Sequence, residues 1–143
     1  MGQIPINFFS EDISFNLKQK GLVRTWIKNT IVAEKHRLRL LNFIFCSDSY
    51  LLNINQQYLK HDTYTDIITF DNSDTEQEIA GDIFISLERI RENAKELDVN
   101  EKDELHRVMI HGTLHLLGYP DKDKSAKSLM TEKEDLYLSK RAF

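Results

Sequence analysis

The chain has 143 residues, 41% hydrophobic and 29% charged, enough to bury one core without cross-links, and it reads as a single domain over 1–143. Its 19 basic and 23 acidic side chains leave a formal charge of −4, which argues against coating nucleic acid by bulk charge while leaving room for a local groove. The lone Cys46 excludes an intrachain disulfide, and the absence of any apolar stretch of about 18 residues excludes a helical membrane span.

Met1 to Pro5 carries neither the charged region nor the apolar run of a signal peptide, so a cytoplasmic location is expected. Ile4 to Phe8 reads as a first strand, closed by the polar Ser10, Glu11 and Asp12. Leu22, Val23, Trp26, Ile27 and Ile31 fall at helical spacing and predict a core-facing helix over about residues 18–35. The basic cluster Lys35, His36, Arg37 and Arg39 reads as a solvated strand edge. Leu38 to Cys46 is rich in branched and aromatic residues and predicts a strand, with Cys46 as a small buried hydrophobe. Ser47, Asp48 and Ser49 offer caps for a short helix from Tyr50 to Leu59.

Ile67 to Phe70 is a second β-rich run, followed by the turn-forming Asp71, Asn72, Ser73 and Asp74. Ile79 to Ser86 alternates, with Ile79, Gly81, Ile83 and Ile85 on one face. Ser86 can cap a helix whose Leu87, Ile90, Ala94 and Leu97 step by three and four, and Asn100 can cap another reaching about Leu117. A last helix covers roughly Ser125 to Ser139. The interleaving does not form regular βαβ units. It predicts an α+β fold, a mixed and mostly four-stranded sheet packed by about five helices.

The chemistry concentrates in Val108 to Tyr119, where every residue is uncharged apart from His111 and His115. A helix apolar on nearly all sides is a buried helix. Histidines at i and i+4 share a face, about 6 Å apart along the axis. In a dry setting, two such imidazoles repel if protonated and are costly if left unpaired; a shared metal resolves both problems. Gly118 is suited to end the helix with a positive φ, and Tyr119-Pro120 cannot continue it, so Asp121 can fold back toward the pair. The metal set expected is therefore His111, His115 and Asp121, one ion per chain, with zinc preferred and Asp123 as the rival third ligand. The pattern H-G-x-x-H-x-x-G-x-x-D has the spacing of the metzincin consensus, a zincin-like metal helix with two substitutions. Where a peptidase of that kind carries its glutamate base, this chain has Gly112, which disfavours the familiar peptidase route.

His111-Gly112-x-Leu114-His115-Leu116-x-Gly118-Tyr119 resembles the signature of the YbeY family of bacterial metal-dependent endoribonucleases. Asn55-x-x-Tyr58-x-x-x-Asp62-x-x-Thr65-Asp66-Ile67-Ile68-Thr69-Phe70 is similar to that family's central block, and Gly81-Asp82-Ile83-Phe84-Ile85-Ser86 to a further strand. The blocks keep the family's order over about residues 38–138. Two departures stand out. Asp121 occupies the position of the family's third histidine, and Leu59 that of an arginine linked to catalysis, with Lys60 and His61 as the nearest replacement cations.

The resemblance implies a single-strand endoribonuclease acting in ribosomal RNA maturation and ribosome quality control, with ribosomal RNA and ribosomal proteins as partners and zinc as cofactor. It leaves Asp66 and Asp82 as structural residues beside the site, Asp66 with a weaker claim to support a ligand histidine. His36, His61 and His106 read as ordinary polar residues. Two other readings stay open on the residues alone: a metal-dependent peptide or amide hydrolase, and a ribosome-associated protein that binds metal without catalysis.

Overall fold

A computed structural model describes residues 3–59 and 65–143, so Lys60 and His61 lie outside the described residues. In chain order the elements are β1 (Ile6–Ser10), α1 (Lys20–Ala33), β2 (Arg37–Cys46), α2 (Asp48–Tyr58), β3 (Ile67–Asp71), β4 (Glu78–Ser86), α3 (Leu87–Leu97), α4 (Glu101–Leu116) and α5 (Lys124–Leu138). The four strands form one mixed sheet in the order β1-β2-β4-β3. β1, β2 and β4 run parallel, while β3 pairs antiparallel to β4 from Ile67 opposite Ile85 to Asp71 opposite Gly81. This is the expected α+β class with a mixed sheet and five helices. None of the described helices is long and apolar enough to cross a membrane.

The first strand starts two residues later than its apolar pattern suggests. Pro5 has no N–H to give a ladder and offers only its carbonyl, which accepts from Leu41 N at 2.9 Å. Pairing therefore begins at Ile6 opposite Leu41 and carries on to Ser10 opposite Phe45. Elsewhere the caps are those the sequence offers: the hydroxyls of Ser47 and Ser86 and the amide of Asn100 accept from Tyr50, Arg89 and Asp103 backbone N–H groups.

The pleat divides the sheet into two faces. Leu41, Phe43 and Phe45 of β2 join Ile79, Ile83 and Ile85 of β4 in the main core, packed by Val23, Ile27 and Ile31 of α1 and Val108, Met109, Ile110 and Leu114 of α4. A bulge between Leu38 and Leu40 sets that phase, so that Leu40 is exposed and Leu41 buried. The opposite face carries a smaller cluster of Cys46, Leu51, Ile54 and Ile68 beneath α2. Burial, with Asp12, Glu11 and Asp48 behind it, pushes the Cys46 thiol up to about 12 and keeps it inert at neutral pH.

His106, read from the sequence as an ordinary polar residue, is buried. It is 3% exposed, its ring packs on Trp26 and Phe143, and its Nδ1 accepts from Arg141 Nη1 at 2.7 Å. Burial, followed by the charges of Arg141 and Lys102, holds it down to about 4 from an ordinary 6.5. The unfolded chain thus takes up this proton first. The stability His106 contributes is complete above pH 6.5 and drains away as pH falls toward 4, by about 3 kcal/mol over the window. Urea unfolding at pH 7.5 and 4.5 should show a decrement in the parent that shrinks in His106→Phe. Equal decrements in the two proteins would refute the assignment.

Candidate metal centre

α4 presses against the sheet where Gly112 meets it. A Cβ on Gly112 would lie 2.7 Å from Ile67 Cδ1 and 3.0 Å from Ile83 Cγ2, so the missing side chain lets the helix approach. The two residues flanking this contact on the helix face outward differently: His111 is partly exposed and Thr113 buried. One turn on, His115 is again partly exposed, and the imidazole centroids stand 4.5 Å apart at 88°.

The helix then stops as the sequence indicates. Gly118 adopts φ 105°, its N–H donating to His115 O at 3.0 Å, while Tyr119 N donates to Leu114 O at 3.0 Å. These paired bonds form a Schellman turn. The turn carries Asp121 back over the histidines, and its Oδ2 lies 3.3 Å from Nε2 of both His111 and His115. One ligand atom from each of the three residues falls within 4.8 Å of the others, the only such group of three among the described residues. Asp123 is engaged elsewhere. It caps α5, its Oδ1 accepting from Ala126 N at 2.7 Å.

The donor set suits a divalent ion because both rings are held in one tautomer. His115 Nδ1 lies 2.9 Å from the Tyr119 carbonyl, which can only accept, so that nitrogen carries the proton. His111 Nδ1 lies 2.6 Å from Glu134 Oε2 and is held likewise. Both Nε2 lone pairs are left facing the Asp121 carboxylate. Burial pulls His111 toward its neutral form, but the hydrogen bond and charge of Glu134, joined by Asp121 and Asp66, outweigh it and raise its pKa. Carboxylates that favour a proton on this ring favour a cation beside it for the same reason.

Residues that the sequence reading missed hold this arrangement. Glu134, 7% exposed on α5, bonds His111 through Oε2 and Arg107 Nη1 through Oε1 at 2.8 Å. The signal was present, because Met130, Glu134 and Tyr137 share the buried stripe of α5 and a carboxylate on such a stripe needs a partner. Glu34 anchors the turn: it accepts from the Tyr119 hydroxyl at 2.6 Å, from Lys133 at 3.2 Å and from the Tyr137 hydroxyl. Burial alone would raise the Glu34 pKa, yet these three donors bring it below its ordinary value.

The centre opens into a cleft of about 470 Å3 walled by Asn55, Leu59, Thr65, Asp66, Thr69 and Asp121. Asp66 bonds the Asn93 amide at 3.1 Å, and burial raises its pKa despite the nearby His111. Its hydrogen bond runs to Asn93, whereas the direct hydrogen bond to a ring comes from Glu134. Asp82 lies away from this cleft and bonds Asn42 and Asn72. Leu59 stands in the wall as an apolar side chain.

The family model described as Endoribonuclease YbeY matches residues 5–142. The chain belongs to the YbeY family. A relative from Cytophaga hutchinsonii named Endoribonuclease YbeY is 50% identical over 143 residues, 100% of both chains. One of the same name from Flavobacterium psychrophilum is 49% identical over 127 residues, 89% of this chain and 90% of that one. The solution structure of TM1509 from Thermotoga maritima matches with a TM-score of 0.66 at 28% identity, covering 94% of this chain and 87% of the other. The YbeY match thus takes in every strand and helix of the described residues, together with His111, His115 and Asp121.

Proposed function

We propose that this protein is a metal-dependent endoribonuclease, cytoplasmic, acting on single-stranded segments of ribosomal RNA during maturation and ribosome quality control alongside ribosomal proteins. The observation that carries the reading is the convergence of His111 Nε2, His115 Nε2 and Asp121 Oδ2 in a cleft of a YbeY-family chain. Those three residues would hold zinc, which supplies Lewis acidity toward a phosphodiester and its attacking water. Three protein ligands leave a position open, as catalysis requires.

The chain's own groups do the rest. Glu134 and the Tyr119 carbonyl fix the two rings, so the site is organised before substrate arrives. Asn55, Thr65 and Thr69 give the cleft polar walls against which a phosphodiester can be oriented. Gly112, packed on Ile67 and Ile83, leaves no side chain beside His111 to serve as a peptidase base, which weighs against peptide hydrolysis. Leu59 favours a second reading, a metal-binding ribosome factor without catalysis, because an apolar wall residue cannot steady phosphate.

Elemental analysis of untagged protein is expected to give near-stoichiometric zinc, with loss in His111→Ala and in Asp121→Ala. Retention of metal by His111→Ala would defeat the ligand assignment. Cleavage of structured ribosomal RNA by the parent and its loss in His115→Ala support the nuclease. A parent that binds zinc and leaves the RNA intact supports the non-catalytic reading.

A further inference from the structure

The sheet face turned away from α4 is only partly covered by α2, and a second cleft of about 460 Å3 lies there between α2 and strands β3 and β4. Four aromatic rings run along it. Tyr50 stacks on Phe84 with centroids 6.5 Å apart at 26°, Phe84 meets Phe70 edge-on at 5.8 Å, and Phe70 meets Tyr58 edge-on at 5.9 Å. Tyr58, at the end of the row, is 67% exposed.

Beside the tyrosine hydroxyls, the polar groups are amides and one carboxylate. Asn53, Gln57 and Asn72 contribute neutral amides, each offering donors and an acceptor. Asp82 sits at the floor with both oxygens already positioned, Oδ1 by Asn42 Nδ2 at 3.0 Å and Oδ2 by Asn72 Nδ2 at 3.4 Å. Asn42 in turn accepts from Asn7, so a polar ladder crosses three strands and holds the carboxylate still. Among the described residues, no lysine or arginine lines the cleft. At its rim, Arg39 donates to Asn72 O at 3.2 Å but is paired with Glu78 at 3.1 Å.

This composition selects its occupant. A phosphate would meet the Asp82 carboxylate and, among the described lining residues, no lysine or arginine. An apolar peptide side chain would leave the Asn53 and Gln57 amides without return for their lost water. A flat heterocycle with N–H groups and carbonyls at its edge satisfies both the rings and the polar floor. We infer that the α2–β4 cleft is a binding subsite for an unpaired nucleobase, stacked on Tyr58 with its edge read by Asp82 and Asn72.

Continuity with the metal cleft supports this, and the inference rests on the reading of the protein as an RNA enzyme. β3 is the edge strand of the sheet; Ile67 and Thr69 wall the metal cleft, and the next residue, Phe70, walls this one. α2 is shared too, giving Asn55 to one cleft and Ile54 and Tyr58 to the other. A single strand crossing the β3 edge can seat a base on one side with its backbone at the histidines.

The test is fluorescence anisotropy with the full chain in chelator, so that no strand is cut. The probes are a labelled eight-nucleotide single-stranded RNA, an abasic ribose-phosphate strand of equal length, and a duplex. The single strand is expected to bind roughly 10-fold or more tightly than the abasic strand, and Tyr58→Ala and Asn72→Ala each to weaken it by a similar factor. Both side chains are exposed, and circular dichroism checks that each variant is folded. Equal binding of the abasic strand, or unchanged affinity in both variants, overturns the subsite. A parent that binds bases through Tyr58 and Asn72 in chelator, yet leaves the same strand intact when zinc is restored, upholds the subsite and removes the nuclease. Affinity lost in His111→Ala but intact in Tyr58→Ala and Asn72→Ala places all RNA contact at the histidines and removes the subsite instead.

Discussion

Glu134→Ala is expected to lower zinc affinity by about 10- to 100-fold while leaving all three proposed ligands in the chain. The carboxylate reaches His111 Nδ1 at 2.6 Å from a position 93% shielded from solvent, so it fixes both which nitrogen bears the proton and where the other points. Without it the ring is free to rotate and the Nδ1–H loses its acceptor. The same change strips Arg107 of one of two carboxylates, leaving Asp135 at 2.7 Å. Metal-free protein should therefore lose about 2–4 kcal/mol of stability as well. Glu134→Gln separates the two effects, because it keeps the volume and one acceptor but removes the charge. In that variant NMR titration of the metal-free protein should find the His111 pKa lower than in the parent, since burial is then opposed by less negative charge. Zinc affinity, read by competition with a chelator, should fall between parent and alanine variant. Unchanged affinity in both would show that Glu134 braces α5 and does nothing for the metal.

That contact also marks where sequence reading stops. The convergence of His111, His115 and Asp121 was legible because every part of it is local: one helical turn sets the first spacing, and a glycine bend sets the second. Glu134 arrives from another helix, 23 residues away, and only tertiary packing decides that it meets His111 and not solvent. The same holds for His106, whose burial depends on Trp26 from α1 and on Arg141 and Phe143 from the C-terminus. Strand positions followed from runs of branched and aromatic residues and, for β4, from alternation, apart from the shift that Pro5 imposes on β1. The antiparallel placement of β3 at the sheet edge did not, since strand order is set by long-range pairing that no local pattern encodes. Asp82 read as a structural residue beside the histidines; it does bond Asn42 and Asn72, but it lies in the other cleft. What the sequence concealed is that these bonds arrange the floor of an aromatic cleft.

Gly112→Glu tests the other half of the metzincin comparison, since it restores the H-E-x-x-H core of the peptidase pattern while Asp121 keeps the place of the third histidine. The expected product is a damaged fold with no peptidase activity. An alanine here already sets two effects against each other. Removing a helical glycine gains about 0.5–1 kcal/mol, while overpacking costs about 1–3. The new Cβ would sit 2.7 Å from Ile67 Cδ1, which can swing, but also 3.0 Å from Ile83 Cγ2, which is branched at Cβ on a central strand and cannot. Gly112→Ala should therefore lose about 1 kcal/mol net. Glutamate adds a carboxylate driven into the Ile67–Ile83 contact with no cation there, a further burial cost of several kcal/mol. The sum is about 4 kcal/mol or more, equivalent to a fall of about 10 °C or more in Tm for a chain of this size. Because Ile67 also walls the metal cleft, zinc affinity should drop together with stability. A Gly112→Glu protein as stable as the parent would mean that α4 does not press on the sheet as described, and the packing explanation for this glycine would fall with it.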